Sequence, residues 1–242
     1  MLADLNIKAV FFDLFETLVD LEVLSHSMFV KSLFESITQG GLKVDFPELK
    51  KTYEYVHNKY RQLRYSSHKE FGNNVWISET LSSLGHVFDP EHSLILKIVE
   101  GQFKPFENRI HLINGAKDVL NIASTKYKVG LITNFTHAPF VHSILRRNNL
   151  DQYFNIKLIS HEERIRKPHP QIFKTAINRL GVTAKEAVMV GDNPYDDIYG
   201  ASLLGLTTIW IPTSKQKALI NDIKEDHLPD FIVPDLKSLI NI

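Results

Sequence analysis

The chain has 242 residues, enough for one large domain or for a core with a smaller companion. Lys plus Arg and Asp plus Glu each number 28, so no global field draws the protein to nucleic acid or to an anionic membrane. The absence of cysteine excludes disulfides, thiolate catalysis and cysteine metal sites.

The chain opens without a basic segment followed by an apolar signal core. No apolar run approaches the roughly 20 residues that span a bilayer, so a soluble, cytoplasmic protein is expected, with neither membrane nor nucleic acid as partner. Low-complexity tracts and internal repeats are absent.

The first predicted element is Lys8-Ala9-Val10-Phe11-Phe12-Asp13-Leu14-Phe15-Glu16-Thr17-Leu18-Val19. Its unbroken apolar run fits a central parallel strand covered on both faces. Asp13 then falls just past the carboxyl end, the edge where open α/β sheets bind ligands. The same Asp is equally compatible with a turn cap at this point.

The period then becomes helical. Phe29, Val30, Leu33, Phe34 and Ile37 predict a helix stopped by Gly40-Gly41, and Leu49, Tyr53, Val56, Tyr60 and Leu63 predict a long amphipathic one. Val75, Ile77, Leu81 and Leu84 make a third, ended by Gly85. Asp89-Pro90 is read as the start of a fourth, with Asp as N-cap and Pro at the first helical position.

From about residue 115 helices alternate with strands at Val129–Thr133, Ile156–Ile159, Ala187–Val190 and Thr207–Ile211. The intervening helices hold Ala116–Ser124, Ala138–Asn148 and the Ile172 to Leu180 stretch ended by Gly181. Strands separated by helices signal βαβ units and a parallel sheet. The fold expected is α/β: a doubly wound parallel-sheet, Rossmann-like core with an inserted α-helical cap domain. Residues 1–20 and 101–242 would form the core and 21–100 the cap.

Three further clusters fall at predicted strand ends: Thr133-Asn134, Lys167-Pro168, and Gly191-Asp192-Asn193-Pro194-Tyr195-Asp196-Asp197. A parallel sheet brings these ends to one edge, so a carboxylate, a hydroxyl, a cation and a second group of carboxylates can meet. That inventory suits phosphoryl transfer, which needs a positioned nucleophile and neutralised phosphoryl oxygens. Carboxylates from two strands also suit Mg²⁺, a hard cation that prefers oxygen. Taken singly, each group has a plainer use: Thr133 ending a strand, Lys167 in a solvated loop, Asp192 and Asp197 capping a helix near Ile198.

In order along the chain, Asp13 through Val19, Leu131-Ile132-Thr133-Asn134, Lys167 through Phe173, and Val190-Gly191-Asp192 through Ala201 resemble the four motifs of the haloacid dehalogenase (HAD) superfamily. The helical insertion resembles that family's type 1 cap. The resemblance implies Asp13 as nucleophile, forming an aspartyl intermediate. It implies Thr133, the Asn134 backbone and Lys167 on the transferred group, with Lys167 also neutralising the nucleophile. Mg²⁺ would be bound by Asp13, the Phe15 backbone carbonyl and Asp192. Asp197 would support them from the outer shell or on Lys167, and Asp196 would face elsewhere.

One position departs from the pattern. Phosphatases of the family carry a second Asp two residues after the nucleophile, where this chain has Phe15. A benzyl group transfers no proton, and losing a positioned acid costs about 10² to 10⁴ in rate. Glu16 is read as a turn residue, and no role is assigned to His137 or His169.

The function expected is Mg²⁺-dependent hydrolysis of a small phosphorylated molecule. Two alternatives stand beside it: a 2-haloacid dehalogenase, in which an aromatic at position 15 is harmless, and a non-catalytic member that binds a phosphoryl ligand or a partner. The intact Gly191-Asp192 and the lack of Arg between Asp13 and Arg61 oppose dehalogenation. Arg61 and Arg64 are candidate substrate groups, with a solvated helix face the expected role, and Phe71 and Trp76 are candidate pocket residues, with packing of the cap the expected one. The oligomeric state is left open.

Overall fold

The computed structural model describes residues 6–20, 25–213 and 228–241. Its main sheet contains strands β1 (Ala9–Phe12), β4 (Lys128–Thr133), β5 (Ile156–Ile159), β6 (Ala187–Gly191), β7 (Thr207–Trp210) and β8 (Phe231–Ile232). They run parallel in the order β5-β4-β1-β6-β7-β8. A second, antiparallel pair joins β2 (Val19–Asp20) to β3 (His111–Leu112). The expected Rossmann-like α/β core with its helical insertion is therefore the architecture found.

β1 is the central strand, with Phe12 in register with Leu131 on one side and Val190 on the other. Both sheet faces are covered, which explains the unbroken apolar run. Val10 and Phe12 pack in the cluster that includes Val119, Leu120, Val141 and Leu145. Ala9 and Phe11 face the opposite layer, with Ile172, Phe173 and Ala176. Gly130 makes room for this second layer, since a Cβ there would come within 2.5 Å of the Phe11 ring. Fully burying a Phe side chain such as Phe11 or Phe12 stabilises by roughly 1.5–3 kcal/mol.

Four helices form the insertion: α1 (His26–Gln39), α2 (Phe46–Ser67), α3 (Asn73–Ser83) and α4 (Ser93–Phe103). Asp45 caps α2 by accepting from the Glu48 N–H at 3.0 Å, and Pro47 occupies its first turn. α1 and α4 are tied by hydrogen bonds from Ser32 to the Gln102 carbonyl and from Ser36 to the Ile98 carbonyl.

The start expected for α4 at Asp89-Pro90 is not found. Asp89 instead closes a turn on the Glu91 N–H at 2.8 Å, and His92 caps the helix through Nδ1. An Asp-Pro pair serves turn initiation as well as helix initiation, and here the turn won. α4 also runs three residues beyond the boundary expected at 100, and the boundary expected at 21 lies outside the described residues.

Helices α5 (Ala116–Lys126), α6 (Ala138–Arg147), the short α7 (Ser160–Glu163) and α8 (Pro170–Leu180) connect the core strands. After β6 the chain takes a π-helical turn, Pro194–Tyr199, that runs into α9 (Gly200–Ser202). A short backbone seam is among the ties between the insertion and the core. The His68 carbonyl accepts from Arg166, the Glu70 N–H donates to the Arg164 carbonyl, and Lys69 bridges to Ile165. This seam touches the loop that carries Lys167.

Candidate active site

Asp13 leaves β1 at the point where the sheet order turns back, with β4 on one side and β6 on the other. Its own N–H is fixed to the Val190 carbonyl at 3.0 Å. Such a switch point opens a crevice at the carboxyl edge of the sheet, where Lys167, Asp192 and Asp197 gather about Asp13 and Thr133 ends the neighbouring strand β4.

Lys167 is the hub, only 2% exposed. Its Nζ donates to Asp13 Oδ1 at 2.7 Å, to the Ile132 carbonyl at 2.7 Å and to Asp197 Oδ1 at 2.5 Å. Three acceptors satisfy all three ammonium protons. Burial alone would lower the Lys167 pKa, but attraction to Asp13 and Asp197 outweighs it and holds the group charged, above the usual lysine range. The solvated-loop role for Lys167 is thereby excluded.

Asp197 is buried. Its second oxygen accepts from the Asn193 N–H at 3.0 Å. Burial, opposed by Lys167 and reinforced by Asp13, pushes its pKa above the usual carboxylate range. Gly191 allows the close approach, because a Cβ there would collide with the Asp197 carboxylate. Asn193, rather than Asp192 or Asp197, caps the turn that follows, accepting from the Tyr195 and Asp196 N–H groups. Helix capping therefore does not account for either carboxylate. That turn begins at Pro194, earlier than the start near Ile198 read from the sequence.

The side chains of Asp13, Asp192 and Asp197 bring carboxylate oxygens within 4.8 Å of one another. The three carboxyl groups outnumber the single ammonium beside them, and a divalent cation would offset the negative charge that remains. The donors are all oxygen, the chemistry Mg²⁺ prefers, so the residues fit the ion. Asp192 is held from two directions: Thr17 Oγ1 donates to its carboxylate at 3.4 Å, and Trp210 Nε1 donates to its carbonyl at 2.6 Å. Thr133 Oγ1 is fully buried and lacks a hydrogen-bond partner. A buried, unpaired hydroxyl at the carboxyl end of β4 is suited to a ligand oxygen.

Asn134 does more than the sequence suggested. Its side-chain amide donates to the Lys167 carbonyl at 2.9 Å and accepts from the Lys167 N–H at 2.9 Å, clamping that residue's backbone. The same NH₂ reaches Asp196 Oδ2 at 3.1 Å. Asp196 also faces Arg166 at 3.9 Å and stands outside the three-carboxylate cluster.

Phe15 lies 6% exposed at the mouth of an aromatic wall. Its ring stacks on Phe135 with centroids 4.6 Å apart, and Phe135 contacts Phe103 and Phe140. Glu16 follows with φ 62°, and its N–H donates to the Val19 carbonyl at 2.7 Å, the geometry of a turn residue. His137 stacks on Phe103, and burial holds its pKa down at about 4. It is neutral at pH 7 and poorly suited to replace the missing acid. His169 caps α8 by accepting from the Gln171 N–H.

Arg61 is exposed, but Arg64 is not. At 9% exposure Arg64 sits under the Trp76 ring, 5.2 Å from its centroid, so the solvated role expected for it is corrected. The helical period places positions 53, 56, 60 and 64 on one face, a signal that could have found it. Arg166, Glu70, Phe135, Thr17 and Trp210 were also missed as parts of the site's surroundings. Thr17 lies within the first motif, and the others carry no motif of their own.

A family model described as haloacid dehalogenase-like hydrolase matches residues 7–205. The chain belongs to this family. This HAD hydrolase is 30% identical to a glyceraldehyde 3-phosphate phosphatase from Pyrococcus furiosus over 98% of its own length and 93% of the relative's. It is 33% identical to the protein of the same name from Pyrococcus abyssi, over 86% and 83%.

Among solved structures it resembles a 2-haloacid dehalogenase from Pseudomonas syringae, with TM-score 0.68, 23% identity and 97% of each chain covered. A HAD phosphatase from Thermococcus onnurineus gives 0.67 and 23%, again over 97% of each. At these identities the solved structures speak for the fold. No helix among the described residues is long and apolar enough to cross a membrane.

Proposed function

We propose that this HAD hydrolase is a Mg²⁺-dependent phosphatase for a small phosphorylated molecule and works through a covalent intermediate on Asp13. The observation that carries the reading is the Lys167 hub, which ties the Asp13 carboxylate to Asp197 beside Asp192 and the unpaired Thr133 hydroxyl. The phosphatase names of the archaeal relatives support the same reaction class. In this reading residues 1–20 and 101–242 act as core and 21–100 as cap.

Lys167 orients the Asp13 carboxylate through Oδ1 and offsets the negative charge of an incoming phosphoryl group. Asp13 attacks phosphorus, the bond to the leaving oxygen breaks, and that oxygen departs with the electron pair. Thr133 Oγ1 and the backbone N–H of Asn134 donate to the phosphoryl oxygens. Water then cleaves the acyl phosphate, releasing phosphate and restoring Asp13. Asp13, Asp192 and the Phe15 carbonyl would hold Mg²⁺, which when bound supplies charge neutralisation on the phosphoryl oxygens. Asp197 keeps Lys167 in place.

Phe15 offers the leaving oxygen no proton, so rates should follow the acidity of the leaving group. Aryl and acyl phosphates are then better substrates than alkyl phosphates such as glyceraldehyde 3-phosphate. A panel of these phosphates and of 2-haloacids, run with and without Mg²⁺, tests the proposal. Turnover of phosphates only with Mg²⁺ supports it. Metal-independent halide release shifts the assignment to C–halogen hydrolysis, for which Phe15 is the favouring observation. Ligand binding with no turnover anywhere in the panel shifts it to a binding protein.

A further inference from the structure

Beside the aromatic wall lies a cavity of about 170 Å³ between the cap helices and the loop after β4. Phe135 and Thr136 form its core side, and Phe135 is the ring that stacks on Phe15, two residues from Asp13. Tyr53, His57, Trp76 and Phe103 contribute flat walls from the cap. The volume is close to the roughly 150 Å³ that accommodates a benzene ring in an apolar protein cavity.

Three polar atoms on this lining are buried without a hydrogen-bond partner: Arg64 Nε, Asn73 Oδ1 and Trp76 Nε1. Arg64 presents Nη1 to Glu70 at 3.7 Å, beyond hydrogen-bonding reach, and its Nε is buried with no acceptor. Glu70 is already engaged, taking the Ser160 hydroxyl at 2.6 Å and the Phe71 N–H at 3.2 Å and facing Arg166 at 3.8 Å. Asn73, 5% exposed, has a buried Oδ1 without a donor. Turning its amide through 180° presents the NH₂ instead.

An unpaired buried donor on a charged group costs more than a neutral one, and a guanidinium edge matches a carboxylate in shape as well as charge. His57 adds no competing charge at pH 7, because burial, with help from Arg64, keeps its pKa at about 4.

We infer that this cavity receives the leaving group of the substrate, and that the leaving group is a small aromatic ring bearing a carboxylate, read by the free Nε edge of Arg64. The inference rests on the phosphatase reading and narrows its substrate class. It also fits Phe15, since a phenolate departs with less help from an acid than an alkoxide does.

The test compares 4-carboxyphenyl phosphate with its neutral isostere 4-carbamoylphenyl phosphate in the presence of Mg²⁺. The carboxamide withdraws electrons more strongly, so leaving-group acidity alone would favour the neutral compound. The expected result is a preference for the carboxylate of about tenfold to a hundredfold in kcat/KM, the worth of one charged hydrogen bond. Arg64→Met should remove that preference, and Arg64→Lys, which keeps charge but has no Nε fork, should weaken it. The ratio is read within each protein, so a general loss of activity cancels.

Binding of 4-hydroxybenzoate, followed by quenching of tryptophan fluorescence, needs no turnover and should be lost in Arg64→Met. Turnover of both aryl phosphates without preference, with no binding of 4-hydroxybenzoate, overturns the inference. So does a higher kcat/KM for glyceraldehyde 3-phosphate than for either aryl phosphate. Absence of turnover of any phosphate alongside Arg64-dependent binding overturns the phosphatase reading and keeps the cavity's ligand class.

Discussion

The crevice at the sheet edge and the cavity under the cap are linked by the stack of Phe15 on Phe135, and they are built on opposite principles. In the crevice nearly every charged group has a fixed partner: one buried ammonium holds two carboxylates and a carbonyl, and Asn134 clamps its backbone. In the cavity, aromatic faces dominate and three polar atoms at its wall, Arg64 Nε, Asn73 Oδ1 and Trp76 Nε1, are left without hydrogen bonds. The difference teaches where generality and choice reside. A paired network is suited to handling any phosphoryl group, whereas unpaired donors in an apolar box select the group attached to it.

The sharpest way to break this division is at the nucleophile. Asp13→Asn should abolish turnover of every substrate, a loss of about 10⁴-fold or more, measured as kcat under saturating Mg²⁺. If the cavity is independent of the crevice, 4-hydroxybenzoate binding in that variant should persist.

Next in size is Lys167→Ala, which leaves Asp13 and Asp197 buried without their cation. Removing one partner of a buried pair costs roughly 3–5 kcal/mol, and urea unfolding should show it. Activity should fall with stability, and added Mg²⁺ should recover part of the stability by neutralising the uncompensated carboxylates.

Phe15→Asp tests the boundary between the two regions. The new carboxyl would stand among Phe135 and its neighbours, where burial raises its pKa and favours the protonated form of an acid catalyst. Turnover of alkyl phosphates should rise by about 10² or more, with little gain for aryl phosphates. Losing the Phe15–Phe135 stack should lower the urea midpoint at the same time.

The smallest effect belongs to pH. His57 has its pKa lowered from 6.5 to about 4 by burial first and Arg64 second, and His137 is likewise held at about 4. A folded-state pKa below the unfolded one means stability present above pH 6.5 and lost as pH falls toward 4. Thermal melts across that window should show a declining Tm, and His57→Gln should make the decline shallower.

Much of this was legible in the residues. The apolar run through Phe12 and the alternation of strands and helices disclosed a central β1 in a parallel sheet, and four polar clusters at strand ends disclosed the crevice. What was not legible depended on the third dimension. β2, β3 and β8 are two residues each, too short to leave a period. Asp89-Pro90 obeyed turn chemistry where helix chemistry was expected. Arg64 carried the charge of a surface residue while its helix face turned it under Trp76, and no local pattern announces a guanidinium whose partner is shared.

In the proposed reaction Asp13 expels the leaving group without a proton from position 15. This is tested most directly by log kcat/KM against leaving-group pKa for a series of aryl and alkyl phosphates with Mg²⁺. The slope should be steep and negative, and should flatten in Phe15→Asp. A flat line in the unaltered protein, with alkyl and aryl esters cleaved alike, would contradict it and require an acid elsewhere in the site.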